Sequence, residues 1–282
     1  MVTLQSDFLT VKIHEKGAEL KSIVCDGKEY IWQGDEKFWA GSAPVLFPIC
    51  GGLTDDRYTL DGREYTLLKH GFAKNMVFQV EKSRDESAVF LLTSTADTYA
   101  QFPFAFEFRI LYSLSGRKLS VTYDVKNLSE TEMYFSVGAH EGYACPEGIE
   151  AYEVVFPQKE TLDSTVLDGN LLSDEKQRII ENSDTLALKY DYFAVDALVF
   201  QELRSRSVVL KNQKEDRKIA VSFDGFDHLL LWTKPQAGYI CIEPWCGIPD
   251  TVHADGNFKN KEGIQKLSPG GRFERTHTIE IL

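Results

Sequence analysis

The sequence has few cysteines and none at C-x-x-C spacing. Cys25, Cys50, Cys145, Cys241 and Cys246 form an odd, scattered set, which argues against a disulfide framework or a zinc finger and suits reduced, packed thiols. No apolar run approaches the ~20 residues of a membrane span. The opening MVTLQSDFLTVKIHEKG lacks the basic, apolar and small-residue order of a signal peptide, so a cytoplasmic protein is expected. Basic runs are missing as well. Lys plus Arg number 31 against 43 Asp plus Glu, a net charge of −12, which disfavours nucleic-acid and anionic-membrane partners and leaves small molecules. There is no Gly-rich cradle for a dinucleotide or a nucleoside triphosphate and no G-x-S-x-G elbow. His14-Glu15 and His140-Glu141 each lack the second histidine of a zinc-protease helix. No metal and no cofactor are expected.

Helical periodicity is nearly absent; SDEKQRIIEN at 173–182 supports a turn or two. More than a dozen short alternating runs fill the chain instead, among them FLTVKI, AVFLLTST, FEFRILYSL, KLSVTYDVKN, HLLLWT and THTIEIL. Asp26-Gly27 and Asp61-Gly62 supply hairpin turns. Closely spaced strands with hairpin signals imply an all-β antiparallel sandwich or barrel rather than βαβ units. With neither an internal repeat nor a low-complexity linker, 1–282 reads as a single domain. The polar stretch from about 157 to 192 reads as an excursion over the surface.

Ionisable groups at strand ends remain as the candidate chemistry. In CIEPWCGIPD, period two places Tyr239, Cys241, Glu243 and Trp245 on one side of a strand buried on both faces, and Pro244 is expected to end its pairing. His70, in LLKHGFAKN, follows an apolar strand and precedes a glycine that permits close approach of a ligand or another backbone. His140, in MYFSVGAHEGYACP, shares a face with Tyr134, Ser136 and Gly138, a face that narrows beside the imidazole and leaves room. A histidine bonded to a carbonyl, or one merely half-buried, is the plain structural alternative for each. His14, His228, His253 and His277 read as surface or turn positions. Glu141 turns away from the face that His140 shares.

HGFAKN at 70–75, GAHEGYACPEG at 138–148 and CIEPWCGIPD at 241–250, in that order, resemble the aldose 1-epimerase (galactose mutarotase) superfamily. EYIWQGDEKFWAGSAPVLFPICGG at 29–52, DALVFQELRSRSVVL at 196–210 and LLLWTKPQAGYICIEPW at 229–245 are similar to its LacX-like branch. The resemblance covers essentially the whole chain. It implies a large antiparallel β-sandwich with a sugar in an open cleft. His140 is then the general acid toward the ring oxygen, Glu243 the general base toward the anomeric hydroxyl, and His70 a second, sugar-binding histidine. The chain departs from the common pattern at Glu141, where a proline is frequent, and at Lys74, where an arginine is frequent. Arg57 is the candidate for a sugar-contacting arginine of the family, and Asp196 for a substrate-contacting aspartate.

Anomer interconversion needs two proton transfers and no cofactor. Glu243 starts near ~4.3, so an apolar setting must raise it for work at neutral pH. Trp245, Phe72, Tyr143 and Trp39 are candidate stacking surfaces, with core packing as the alternative for each. Lys74 and Arg57 are candidate cations for a phosphorylated sugar. The expected function is aldose 1-epimerase activity on a free or phosphorylated aldose, by a monomer or homodimer. A non-catalytic sugar-binding or sugar-sensing protein of the same fold is the alternative. A glycoside hydrolase ranks lower, since it requires Glu141 or Asp250 to partner Glu243 at ~5–9.5 Å.

Overall fold

Alternation in the sequence becomes antiparallel sheet in the computed structural model, which describes all residues from Met1 to Leu282. In the strand Phe106–Ser115 every second side chain from Phe106 to Leu114 is buried, and the neighbouring Lys118–Asn127 buries Leu119, Val121, Tyr123 and Val125. These rows form the inner face of a nine-stranded sheet. Arg272–Ile281, the last strand of the chain, lies at the centre of that sheet, between Lys218–Ser222 and Lys118–Asn127. A five-stranded sheet contains Leu198–Phe200, His228–Trp232 and Tyr239–Cys246, with Val137–Gly138 and Glu141–Ala144 placed end to end along the free side of Tyr239–Cys246. Four N-terminal strands between Val2 and Glu29 form a further sheet. The largest buried cluster runs from Leu4 to Ile281. Phe47 is its aromatic hub, with the rings of Phe72, Phe102, Phe106, Phe108 and Phe135 at 4.5–6.1 Å; each fully buried phenylalanine is worth about 1.5–3 kcal/mol.

This is a β-sandwich with few helices. The one α-helix, Ala96–Gln101, starts at Thr95, whose hydroxyl caps Thr98 N–H in a reciprocal capping box. No helix is long and apolar enough to cross a membrane. Both expected hairpin turns form, with φ of 50° and 74° at Asp26-Gly27 and 49° and 78° at Asp61-Gly62. All five cysteines are buried and unpaired.

Four readings need correction. The stretch 157–192 is mostly a long hairpin, Tyr152–Asp168 with Leu171–Ala187, at one edge of the nine-stranded sheet. Its polarity reflects exposure of that edge. SDEKQRIIEN lies within the second arm as strand, since cross-strand pairing overrides a weak local helical preference. Pro244 does not end its strand, which continues through Trp245 and Cys246 against His228 and Val137. Pro244 C=O accepts from Ala139 N–H at 3.1 Å. The proline's missing N–H therefore faces the same side, the interruption at Ala139–His140 between two short strands, where no ladder bond is lost. Finally, His277 is fully buried rather than superficial, in one row with Ile279 and Ile281.

Candidate active site

The interruption at Ala139–His140 is what opens the sheet to a site. Gly138 pairs with Trp245 and Glu141 with Ile242, so the two unpaired residues lie opposite Glu243 and Pro244. His140 Nε2 lies 3.4 Å from Glu243 Oε2. The two groups, a hundred residues apart in sequence, thus face one hollow of about 930 Å³. Trp39, Trp232 and Trp245 line it together with His70, Lys69, Lys74 and Asp196. Rings of Trp39 and Trp232 approach His140 at 5.2 and 5.6 Å.

Burial dominates the electrostatics. It drives Glu243 well above the usual carboxylate range, with Lys69 opposing, and drives His140 down to about 3, with the charges of Lys69 and Lys74 adding to the fall. A neutral carboxyl beside a neutral imidazole is the favoured resting form. The apolar strand end expected around Glu243 is thus present, built from Tyr239, Cys241, Ile242 and Trp245, all buried.

His70 is held by backbone rather than by side chains. It has a left-handed φ of 68°, an uncommon conformation outside glycine. Its N–H donates to Gly51 C=O at 2.9 Å, and Gly51 N–H donates to His70 Nδ1 at 3.1 Å. Nδ1 is therefore an acceptor, so the ring proton sits on Nε2 and His70 is a neutral donor. Burial, then the charges of His140, Lys74 and Lys69, keep it well below the usual imidazole range. Gly71 accommodates a backbone and not a ligand: a Cβ there would meet Phe47 O at 2.3 Å.

The narrowing at Gly138 is likewise occupied by protein. A Cβ would lie 2.5 Å from Trp245 Cδ1 and 3.0 Å from Cys50 Sγ, while Trp245 Nε1–H donates to Ala139 C=O at 2.9 Å. Gly138→Ala must displace the indole, with an expected loss of about 1–3 kcal/mol in urea unfolding and a weaker grip on ligand. Unchanged stability would show that Trp245 is freely movable.

Arg57 does not reach the hollow. It lies on the hairpin strand Arg57–Leu60, half-exposed, near Asp55 and Glu64 at 3.4 and 3.5 Å. Phe72 and Tyr143 are core residues, not stacking surfaces. Glu141 points away from Glu243, toward His277 Nε2 at 3.0 Å, and Asp250 Oδ1 accepts from Lys261 Nζ at 2.7 Å beside a separate, smaller hollow. Neither carboxylate is placed to serve as the second acid of a hydrolase. Lys69, Trp232 and Asn170 line the hollow without having been singled out. Lys69 adjoins His70 in sequence, and Trp232 sits two residues from Leu230, the pairing partner of Glu243; those adjacencies are the signals that sequence carried. Asn170, at the tip of the long hairpin, had none.

One imidazole nitrogen of His140, the Cys241 thiol and a Glu243 oxygen lie within 4.8 Å of one another. Burial keeps the Cys241 thiol far above its ordinary range, so a metal binding there would have to displace the thiol proton.

Across residues 1–280 the sequence matches the family Aldose 1-epimerase. The chain belongs to that family. Protein LacX, chromosomal, of Lactococcus lactis subsp. lactis is 32% identical over 296 aligned residues, covering 100% of this chain and 99% of that protein. A solved galactose mutarotase related enzyme from Lactobacillus acidophilus shares 34% identity with a TM-score of 0.94, covering 99% of this chain and 96% of the other. A galactose mutarotase-like protein from Lactobacillus casei ATCC 334 superposes with a TM-score of 0.95 at 27% identity, covering 100% of both chains. The aldose 1-epimerase superfamily, and within it the LacX-like branch, is thereby assigned to this epimerase-family chain.

Proposed function

We propose that this protein is an aldose 1-epimerase that opens and recloses the hemiacetal of an aldose with His140 and Glu243 as its proton-transfer pair. The observation that carries the reading is the 3.4 Å approach of His140 to Glu243 inside a tryptophan-walled hollow. The hydroxyl oxygen and ring oxygen of a hemiacetal sit on one carbon, so a base and an acid side by side can reach both.

The proton balance is simple. With the cyclic sugar bound, the shared proton lies on His140 and Glu243 is a carboxylate. Glu243 takes the proton from the anomeric hydroxyl, His140 gives one to the ring oxygen, the bond from C1 to the ring oxygen breaks, and C1 becomes a carbonyl. The pair is then neutral. Rotation about the C1–C2 bond presents the other face of the carbonyl; both transfers reverse on closure, and the ion pair returns. Burial favours the neutral pair, which is the form that accompanies the open chain, so the same desolvation that shifts both groups stabilises the intermediate relative to the cyclic sugars. His70 Nε2–H serves as a neutral donor to a sugar oxygen, and the indoles cover the C–H face.

NMR exchange spectroscopy of α and β signals across a panel of aldoses tests the reading; no acceleration with any sugar would leave a binding protein of this fold. Because burial lowers the second protonation of His140 to about 3, kcat/KM should show no acid limb in the ordinary imidazole range, and because burial raises Glu243, its alkaline limb should lie above the ordinary carboxylate range. A fall in kcat/KM on acidification through about 6.5, the unperturbed imidazole value, would remove the neutral imidazole from the mechanism.

A further inference from the structure

His140 lacks the fixture that holds the other histidine of the site. His70 Nδ1 accepts from Gly51 N–H at 3.1 Å, whereas no other residue offers His140 Nδ1 a hydrogen bond. The rings of Trp39, His70 and Trp232, at 5.2, 5.5 and 5.6 Å, surround the imidazole without directing it. Its own backbone lies in the break between Val137–Gly138 and Glu141–Ala144. Pairing with Tyr239–Cys246 resumes one residue later, at Glu141 opposite Ile242.

Successive residues of a strand point to opposite faces. His140 faces the hollow, and Glu141 is buried in the interior of the sandwich. There Glu141 Oε1 lies 3.0 Å from His277 Nε2; a carboxylate only accepts, so the ring N–H is the donor. The bond ties the five-stranded sheet to Arg272–Ile281, the central strand of the nine-stranded sheet. Its surroundings are polar for a core. The Tyr123 ring lies 5.6 Å from the His277 ring, and Tyr143 follows Glu141 by two residues on the same strand. Glu141 Oε2, His277 Nδ1 and the hydroxyls of Tyr123 and Tyr143 have no protein partner. Unpaired polar groups cost stability when buried, and apolar side chains would fill such a place at least as well. A bond kept at that cost, one residue from the proton donor, points to a task at the site.

We propose that Glu141 and His277 are the positioning residues of His140: their bond between the sheets sets the height and tilt of the chain where its pairing resumes, and so places the imidazole against Glu243 and the sugar. For its effect on turnover the inference rests on the ring-opening reading above. The ladder to Ile242 holds the chain sideways and leaves it free to rock about its own axis. A side chain tied down on the inner face removes that freedom. Misplacing a proton donor by ~1 Å costs about 10²-fold in rate, which sets the scale of the loss when the tie is cut.

Glu141→Met combined with His277→Phe replaces the pair by apolar groups of comparable volume, so Tm should hold or rise. In that variant kcat for anomeric exchange should fall about 10–100-fold while KM stays within about two-fold. Glu141→Asp retains the charge on a side chain one methylene shorter; it should show the same split in smaller measure, and it serves if the double variant does not fold. Glu141→Gln keeps an acceptor for His277 and should keep most of kcat. A double variant with wild-type kcat, a loss of kcat only in proportion to lost Tm, or a Gln variant as slow as the double one overturns the proposal, the last by assigning the effect to charge. Nitrogen-15 labelling of histidine reads placement without turnover. The His140 ring signals should be single and sharp in wild type and Glu141→Gln, and broadened or doubled in the other two variants. If they behave so while wild type exchanges no aldose of the panel, the positioning stands and the epimerase reading falls. Unchanged ring signals overturn the positioning whatever the activity.

Discussion

Glu243→Gln lowers kcat for α/β interconversion by about 10²–10⁴-fold, still binds sugar, and melts at a higher temperature than the parent protein at pH 7. The first effect follows from the pair's geometry: an amide 3.4 Å from His140 cannot exchange a proton with either sugar oxygen, while it keeps the shape of the pocket. The second follows from burial. The Glu243 side chain is 2% exposed and its proton affinity in the folded state is raised by desolvation. Its favourable contribution is therefore complete below the unfolded value, about 4.3, and is lost as pH rises toward the folded value. At pH 7 the parent protein carries that cost and the glutamine does not. Each kcal/mol recovered raises Tm by about 2–4 °C in a chain of this size. The difference in Tm should shrink as pH is lowered to 4. A variant with normal turnover removes Glu243 from the chemistry; a variant that melts lower at pH 7 contradicts the desolvation account.

Lys261→Met should be the most destabilising single change near the site. The pair Lys261–Asp250 is 2.7 Å apart, with side chains 2% and 5% exposed. Removing the cation leaves a buried carboxylate without its counter-charge, a loss of about 3–5 kcal/mol. Asp250 also accepts from Thr54 N–H at 3.1 Å, its own N–H donates to Gly52 C=O at 3.0 Å, and its C=O accepts from Leu172 N–H at 2.8 Å. The adjoining Pro249 packs against Gly51 so closely that a Cβ there would lie 2.3 Å from its Cγ, and Gly51 is the residue that fixes the His70 ring. Damage to the ion pair should therefore raise KM as well as lower stability. The double change Lys261→Met with Asp250→Asn retains an acceptor for Thr54 and removes the unpaired charge, so it should recover most of the loss. Urea unfolding of the three proteins decides the matter, and a stable single variant would show that water reaches Asp250.

Strand content and hairpin turns were legible because period-two alternation and Asp-Gly pairs are local signals. Glu243 and His140 stood out for a similar reason: a carboxylate in an apolar strand and an imidazole beside a narrow glycine break their own local patterns. What sequence could not show is which neighbours fill the narrow places. The space beside Gly138 and Gly71 holds Trp245 and the Phe47 backbone, contacts set by packing between strands distant in sequence. Arg57 was assigned by position in a stretch where register slips, and its hairpin turns it to neighbouring acids. Alternation with Ile279 and Ile281 places His277 inside, against the general tendency of a polar residue type to lie nearer the surface. The long hairpin was hidden by its polarity, an edge property that mimics loop composition.

The central place of Arg272–Ile281 has a consequence for how the protein folds. This strand joins the two halves of the nine-stranded sheet, and through His277 it touches Glu141, the residue after His140. Until it docks, Lys118–Asn127 and Lys218–Ser222 have no partner along that seam, and the strand that carries His140 has no support behind it. Its insertion should be a slow step, since it requires contacts between residues far apart in sequence.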